Sequence, residues 1–367
     1  MRMKKKKRVV AALSGGVDSS VAAALLKEAG YDVIGISMQL YDHAQNETTR
    51  FDSCCSLKEV DVARRVAQIL EIPYYVLNFE KAFQEKVVDY FVKEYLNART
   101  PNPCVKCNSD VKFKALIQKA KELGADYLAT GHYVKNVLNA KTGFYELHKA
   151  KDVSKDQSYF LFDIDRNELP YLLFPLGDLL KTHVRDLAKR FGLPTAHKPE
   201  SMEICFIPNN DYAAFIEKKL SSPLSKVAGN VVSSDGKILK QHRGYYQYTV
   251  GQRKGIGLSQ THPLYVVEID PNLKQVCVGK KADLWMRGLI AKDINWLRLP
   301  ETQEVSLKIR HSKQEWQARF SETVSWSSHA QPIFFQDRVA AVTPGQAAVF
   351  YQDDVLLGGG WIERGLH

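Results

Sequence analysis

The stretch "VVAALSGGVDSSVAAALL" occupies residues 9–26 and decides the fold of the first part of the chain. Its first five residues form an uninterrupted apolar run, which is typical of a strand buried on both faces of a parallel sheet. Apolar residues then recur at helical spacing from Ala22 to Ala29, and Gly30 marks the end of a helix. The pattern predicts a strand, a tight glycine turn and a helix capped by Asp18, Ser19 or Ser20.

The turn between this strand and this helix has the composition of an anion site. Its glycines let a ligand approach the backbone, and the start of a helix offers unpaired N–H groups and the positive end of the helix dipole. The turn lacks the lysine of a Walker A loop and the spacing of a dinucleotide-binding fingerprint. Sequence geometry therefore indicates an anion and leaves its identity open.

Composition and charge restrict the class of protein. The chain has 367 residues, 45% of them hydrophobic and 25% charged, which is typical of a globular protein of two or three domains. The net charge is +10; residues 1–8 hold six basic side chains, and residues 211–280 hold ten basic against five acidic. Such a distribution favours a polyanionic partner such as RNA. No apolar run is long enough for a membrane span and no export signal is recognisable, so we expect a cytoplasmic protein with reduced cysteines.

Strands alternate with helices along the first 200 residues or so, which predicts a parallel sheet covered on both faces. After the opening unit, we predict strands at 31–38, 73–79 and 125–134 and helices at 57–70, around 83–95 and up to 123. From Asn167 to about Leu220 the pattern is helical. Short β-type runs follow, with a hairpin turn at Asp235–Gly236. Ligands of such sheets bind beyond the carboxyl ends of the strands.

Cysteines cluster in two segments. In "TPNPCVKCN" (100–108), Cys104 and Cys107 are predicted on a loop at the start of a helix, where the dipole would lower a thiol pKa. Cys205 lies far downstream in "ESMEICFIP". We interpret Cys277 as a buried strand residue, and the Cys54–Cys55 pair as incidental loop thiols with a sulfur relay as the alternative. The five tryptophans are predicted to be core residues of the last domain.

The opening turn resembles the pyrophosphatase loop (PP-loop) of enzymes that split ATP between its α- and β-phosphates. With "RTPNPCVKCN", "ATGHY", "KDQSYFL", "ESMEICFIP", "YTVGQRKGIGL" and "TPGQAAVFY", the chain resembles the tRNA-specific 2-thiouridylase family (MnmA/TrmU) over essentially its full length. The resemblance implies an α/β PP-loop domain with a Rossmann-like parallel sheet, followed by two small β-rich or β-barrel domains. We expect the catalytic domain at 1–165, a helical linking region carrying Cys205 at 166–220, a small β domain at 221–280 and a tRNA-binding β-barrel at 281–367.

The resemblance also implies an activity: ATP-dependent 2-thiolation of the wobble uridine of tRNA. The ATP site would comprise Ala12, Leu13, Ser14, Gly15, Gly16, Val17, Asp18, Ser19, Met38 and Gly131, with Asp18 helping to hold Mg²⁺. Cys205 would carry a persulfide received from an upstream sulfur-donor protein, and Cys107 would attack it. Contacts with tRNA and the target base would come from Asn102, Pro103, Cys104, His132, Lys155, Asp156, Gln157, Arg310, His311 and Gln346. A monomer is expected.

Cys104 departs from the family pattern, because many members have an aspartate there. Three thiols (Cys104, Cys107 and Cys205) can hold a [4Fe–4S] cluster with one open iron, so a cluster route stays open beside the persulfide route. A structural zinc site would need a fourth ligand. Two other classes also remain: a PP-loop ligase or amidotransferase that adenylates a small molecule, and an RNA-binding protein without catalytic activity.

Overall fold

The structure, a computed structural model, describes residues 6–41, 57–199, 204–220, 226–258 and 261–367. The Cys54–Cys55 pair and most of the basic N-terminal run lie outside these described residues. The chain divides into two compact units, one of residues 1–87, 104–210 and 354–356, and one of residues 88–103, 211–353 and 357–367. Within the described residues, no helix combines the length and the apolar character needed to cross a membrane.

The first unit is built on a five-stranded parallel sheet in the order β3-β2-β1-β4-β7. Its strands are β1 (Arg8–Ala12), β2 (Asp32–Gln39), β3 (Tyr74–Asn78), β4 (Tyr127–Ala129) and β7 (Leu172–Leu173). The first four confirm the predicted strands, although β4 is shorter than expected. The two-residue strand β7 lies where the sequence pattern is helical and was not predicted.

Apolar burial explains why the opening stretch forms a strand and a helix. Val9 and Val10 of β1 and Val21 of helix α1 (Val17–Glu28) have no exposed surface. Helix α2 (Leu57–Ile69) places Ala63, Val66 and Ala67 in the same core. Burying side chains of this size contributes about 1–3 kcal/mol each. Helix α7 (Lys181–Arg190) packs against α1.

The helical segments between β3 and β4 contain two π-helical stretches. Helix α3 (Glu80–Phe83) continues through a π-helical segment (Gln84–Val88) into α4 (Asp89–Leu96). Helix α5 (Pro103–Lys106) continues through Cys107–Ala115, also π-helical, into α6 (Leu116–Glu122). The loop predicted around Cys104 and Cys107 was therefore wrong, because a proline at the first helical position favours helix formation. Single π-turns often occur at functional sites.

Two further strands of the first unit, β5 (Lys135–Leu138) and β6 (Tyr145–His148), form an antiparallel hairpin, and His148 pairs with Val355. The region predicted as a helical link contains α7 in the first unit and α8 (Tyr212–Lys219) in the second. The domain boundaries at residues 165, 220 and 280 stay a prediction.

The second unit contains a four-stranded sheet and a closed barrel. The sheet has the order β10-β11-β8-β9, from β8 (Gly229–Ser233), β9 (Ile238–His242), β10 (Tyr265–Asp270) and β11 (Gln275–Gly279). The predicted hairpin turn is confirmed: Gly236 has a φ of 83° and donates its N–H to the Ser233 carbonyl at 2.8 Å. Cys277 lies on β11 as predicted, but it is only partly buried.

The barrel has six antiparallel strands in the order β12-β15-β14-β13-β16-β17, and pairing of β12 with β17 closes it. They are β12 (Trp285–Trp296), β13 (Glu304–Lys308), β14 (Trp316–Phe320), β15 (Ala330–Ala340), β16 (Ala347–Gln352) and β17 (Val355–Leu366). Trp296 packs against Phe320 and Phe350 in the interior, as expected for a core residue. Trp285 and Trp326 are 37% and 48% exposed, so their assignment to the core was wrong.

Candidate active site

The turn between β1 and α1 is closed by its own serines. The Ser14 N–H donates to Ser19 Oγ at 3.1 Å, and the two hydroxyl oxygens are also 3.1 Å apart. Ser19 and Ser20 donate to the Gly16 carbonyl at 3.2 and 2.7 Å. Among the described residues no side chain caps α1, whose N-cap is Gly16, so the predicted cap was wrong. The orphan N–H groups of the first turn therefore face the loop, where an anion can satisfy them.

Gly131 packs directly on this loop. A β-carbon at Gly131 would lie 2.6 Å from the Ser19 nitrogen and 2.7 Å from the Asp18 carbonyl carbon, which is closer than real β-carbons approach. Gly131 follows β4, the neighbour of β1 in the sheet. The structure thus places the glycine of "ATGHY" against the backbone of residues 18 and 19, and the role of these residues in binding ATP stays a prediction.

Asp18 is held by two side chains from distant parts of the chain. The Lys181 ammonium donates to both Asp18 carboxylate oxygens at 2.7 Å, and the Tyr133 hydroxyl donates to Oδ1 at 2.8 Å. Lys181 begins α7 and is only 8% exposed. The carboxylate of Asp18 is therefore neutralised by an ion pair with Lys181 in this structure.

A second lysine lies on the other side of the loop. Lys198 donates to the Gly15 carbonyl at 2.9 Å and forms an ion pair with Glu59 of α2. Sequence analysis did not single out Lys181 or Lys198, since neither belongs to a recognisable motif. The N-terminus of α1 and two ammonium groups thus lie at the loop, each ammonium paired with a carboxylate in this structure. Donors of this kind can bind a polyphosphate.

Hydrogen bonds join the carboxyl ends of β1 and β2 beside the loop. The Leu13 N–H donates to the Ile36 carbonyl at 2.8 Å, and the Ser37 hydroxyl donates to the Leu13 carbonyl at 2.6 Å. Met38 follows on β2 and pairs with Leu77 of β3. Ala12, Leu13 and Met38 thus lie at the edge where ligands of parallel sheets bind.

Cys104 and Cys107 lie on successive turns of one helix. Cys104 is exposed in α5, whereas Cys107, the first residue of the π-helical segment, is 7% exposed. Polar contacts fix this helix: Lys106 bonds Asp163 at 2.8 Å, and Asn108 donates to the Phe160 carbonyl at 3.2 Å. The Cys107 sulfur is consequently part of a well-packed element.

Cys205 contacts the segment that follows β2. Its sulfur lies 3.1 Å from the Tyr41 hydroxyl oxygen, two residues beyond the end of that strand. The ring of Phe83 packs edge-on against Tyr41 and against Phe206, with centroid distances of 5.1 and 5.7 Å. Helix α3, which carries Phe83, also contacts the π-helical segment that begins at Cys107. One short helix is therefore a neighbour of both cysteine-bearing segments.

A ready-made metal site is not found in the described part of the chain, where no three His, Cys, Asp or Glu side chains are grouped to hold an ion. The three thiols of Cys104, Cys107 and Cys205 are all described. In this structure they do not form the ligand set that an iron–sulfur cluster would need.

His132, next to Gly131, is a neutral imidazole. It lies between the rings of Phe113 and Phe174, with centroids 5.7 and 6.4 Å away. Burial, with a smaller contribution from the Lys112 charge, lowers the pKa of His132 to about 3. Its Nδ1 lies 2.8 Å from the Thr130 hydroxyl. A neutral ring suits hydrogen bonding to a base better than contact with a phosphate.

The Lys155–Gln157 segment is bound to the strand end that carries His132. The Gln157 side-chain oxygen accepts from the Tyr133 N–H at 3.0 Å, and the Gln157 backbone N–H donates to the Tyr133 carbonyl at 2.9 Å. Asp156 is 7% exposed and accepts from the Ala150 N–H at 3.1 Å and the Ser158 hydroxyl at 2.8 Å. Asp156 therefore shapes the segment rather than presenting its charge to solvent.

In the second unit, Gln346 binds the segment that precedes Asn102. Its amide donates to the carbonyls of Thr100 and Pro101 at 2.9 and 3.3 Å, and the Thr100 N–H donates to Pro344 at 2.8 Å. The structure thus brings together two segments, 99–102 and 343–346, that were predicted only separately. Arg310 and His311 are exposed in the turn after β13.

Family models match nearly the whole chain. One described as tRNA methyl transferase HUP domain matches residues 7–209, one described as its PRC-barrel domain matches 214–280, and an aminomethyltransferase beta-barrel domain matches 286–362.

Curated relatives match end to end. A tRNA-specific 2-thiouridylase MnmA from Geotalea uraniireducens is 51% identical, covering 99% of this chain and 96% of the relative. Proteins of that name from Geobacter metallireducens and Carboxydothermus hydrogenoformans are 49% and 46% identical; the matches cover 100% and 98% of this chain and 99% of each relative. Since these matches span both units, the chain belongs to the tRNA-specific 2-thiouridylase family.

Proposed function

We propose that this protein replaces the 2-oxygen of the wobble uridine of tRNA by sulfur, at the expense of ATP. The observation that carries the proposal is the loop at residues 14–19, which is docked on Gly131 and flanked by Lys181 and Lys198. A loop of this kind binds a polyphosphate, and the family membership supplies the substrate class. The products would be 2-thiouridine, AMP and pyrophosphate.

In the first step the uridine 2-oxygen attacks the α-phosphorus of ATP, and the bond to the leaving pyrophosphate breaks. The N–H groups at the start of α1, the serine hydroxyls and the ammonium of Lys181 would stabilise the charge that develops on pyrophosphate. Transfer of AMP turns the inert 2-oxygen into a good leaving group. These groups come from the start of α1 and from the first residue of α7.

A magnesium ion fits this site only as part of a complex with ATP. Mg²⁺ is usually held by one or two carboxylates together with substrate phosphates, and Asp18 is a carboxylate within the loop. Asp18 is bonded to Lys181 in this structure, so ion binding there would release the ammonium toward the phosphates. When bound, the ion would neutralise phosphate charge.

Sulfur would arrive on Cys205 as a persulfide, received from an upstream sulfur-donor protein. The terminal sulfur attacks C2 of the activated uridine and AMP departs. Cys107 attacks the inner sulfur of the persulfide, so that the S–S bond to the transferred sulfur breaks and a Cys107–Cys205 disulfide forms. A reductant of the dithiol class then restores both thiols.

The residues that would contact the tRNA are Asn102, Pro103, Cys104, His132, Lys155, Asp156, Gln157, Arg310, His311 and Gln346. The neutral ring of His132 would face the target base, while the exposed Arg310 would contact phosphate. Monomeric state, cytoplasmic location and the donor protein stay predictions.

A reconstitution with ATP, tRNA and a persulfide donor tests the proposal. Nucleosides from the treated tRNA, analysed by mass spectrometry, should contain uridine with sulfur in place of oxygen. One pyrophosphate should be released for each thiouridine formed. The description of the family model names methyl transfer; an added methyl group instead of sulfur would contradict thiolation. Iron and sulfide analysis of anaerobically purified protein separates the routes, since an active, iron-free enzyme removes the cluster route.

A further inference from the structure

The structure places the Tyr41 hydroxyl against the Cys205 sulfur. The two atoms are 3.1 Å apart although the residues are 164 positions apart in the chain. This distance is within the range for a hydrogen bond that involves sulfur. Neither the sequence motifs nor the reaction outlined above gives Tyr41 a role.

The contact is held by packing rather than by the hydrogen bond alone. Phe83 is 1% exposed, and its ring meets Tyr41 and Phe206 edge-on, at interplanar angles of 76° and 78°. Edge-on aromatic pairs stabilise a packed arrangement beyond the area that they bury. Phe83 therefore fixes the tyrosine on one side and the residue that follows Cys205 on the other.

We propose that Tyr41 is a positioning residue for Cys205, its O–H donating a hydrogen bond to the sulfur that receives and carries the persulfide. The proposal rests on the proposed function, because it concerns the sulfur-accepting step. A donated hydrogen bond favours the thiolate over the thiol, and the thiolate is the nucleophile.

The step itself is an exchange of sulfur without net oxidation. The Cys205 thiolate attacks the outer, sulfane sulfur of a donor persulfide, and a new S–S bond forms on Cys205. The S–S bond of the donor breaks, and the donor leaves as a thiolate. In the later step the Tyr41 O–H can keep its hydrogen bond to the same sulfur while Cys107 attacks it.

The test compares Tyr41→Phe with the wild-type chain. Phenylalanine keeps the ring that packs on Phe83 and removes only the hydroxyl; Tyr75→Phe, at a 52% exposed tyrosine on β3, is the matched control. Alkylation of Cys205 by iodoacetamide is followed by peptide mass spectrometry as a function of pH, without ATP or tRNA. Loading of Cys205 with sulfur from glutathione persulfide is measured in the same samples.

For Tyr41→Phe we expect the alkylation profile to shift by about one pH unit to higher pH and loading near neutral pH to fall about tenfold. The two proteins should converge at high pH, where the thiolate forms without help. Identical profiles for Tyr41→Phe and wild type would overturn the proposal. If Tyr41→Phe loses ATP binding or melts much earlier than wild type, it is replaced by Tyr41→Leu, which also lacks a donor and should show the same shift of the Cys205 profile.

Failure of the proposed function gives a different pattern. If the wild-type protein forms no thiouridine but its Cys205 profile still depends on the Tyr41 hydroxyl, the thiolation proposal fails and the positioning role stands. If thiouridine forms equally fast with Tyr41→Phe and the profile is unchanged, only the positioning role is lost.

Discussion

At the scale of single residues, the Lys181 ammonium neutralises the Asp18 carboxylate at the PP-loop. Lys181→Met removes the ammonium bonded to Asp18 and leaves that carboxylate beside the phosphates. We expect tRNA-dependent pyrophosphate release to fall by about 100-fold, comparable to loss of one transition-state donor. Lys189→Met, at an exposed position on the same helix, is the control and should release pyrophosphate at the wild-type rate. Equal rates for both variants would show that the ion pair serves packing alone.

A second prediction at this scale concerns pH. The pKa of His132 is lowered to about 3 in the folded chain. Between this value and the ordinary histidine pKa of about 6.5, the imidazole is therefore protonated in the unfolded chain and neutral in the folded chain. Stability should therefore decrease as pH falls from about 6.5 toward 3, by at most about 1.4 kcal/mol per pH unit from this residue. Urea unfolding of His132→Gln and wild type at pH 7 and pH 5 measures it, with the exposed His183→Gln as the control. Burial also lowers the pKa of His148 and of His242, so part of the pH dependence should remain in His132→Gln. A loss of stability between pH 7 and pH 5 as large in His132→Gln as in wild type contradicts the assignment.

What sequence could predict at this scale follows from distance along the chain. Ser14–Ser19 form a local motif, so a glycine turn that opens a helix could be predicted there from a few neighbouring residues. Lys181 is 163 residues from Asp18. The sequence around Lys181 does not indicate which carboxylate it will contact in the folded chain. Tyr41 and Cys205 are separated as widely, so only a folded structure could pair them.

At the scale of elements, the segment 99–102 is held by the segment 343–346. Gln346→Leu removes two hydrogen bonds to the carbonyls of Thr100 and Pro101. Unfolding free energy should fall by about 1–2 kcal/mol, and tRNA affinity should fall with it because this segment leads into Asn102. Gln317→Leu, at an exposed position of β14, is the control for both measurements. Wild-type tRNA affinity in Gln346→Leu would mean that the segment 99–102 does not shape the RNA site.

Element predictions succeeded where one physical signal dominated. Buried apolar runs identified β1 and β2, because parallel strands covered on both faces are rich in apolar residues. Strand β3 was predicted from a similar apolar run, but it lies at the edge of the sheet and is largely exposed. The segment around Cys104 was misinterpreted because prolines usually mark extended chain, whereas Pro103 begins a helix. Strand β7 has two residues, too few to create a pattern.

At the scale of the whole molecule, the net charge of +10 should appear in the salt dependence of tRNA binding. Arg310→Gln, which removes an exposed cation after β13, should reduce the slope of log affinity against log salt by about one. Filter binding between low and moderate salt measures the slope. Arg65→Gln, at an exposed position of α2, should leave it unchanged. An unaltered slope in Arg310→Gln would remove Arg310 from the phosphate contacts.

The order of fold classes along the chain was predictable: a parallel α/β part first, then two β-rich parts. Exposure within the barrel was not, because a tryptophan on a strand can face either side. Trp296 faces the interior, whereas Trp285 on the same strand is 37% exposed.

The most direct test of the central claim is a single turnover. Enzyme carrying one persulfide on Cys205 is mixed with ATP and tRNA, and the reaction is quenched at intervals for nucleoside and peptide mass spectrometry. We predict that 2-thiouridine and a Cys107–Cys205 disulfide appear together, one for each ATP cleaved. Thiouridine that accumulates while both cysteines remain reduced would contradict the account.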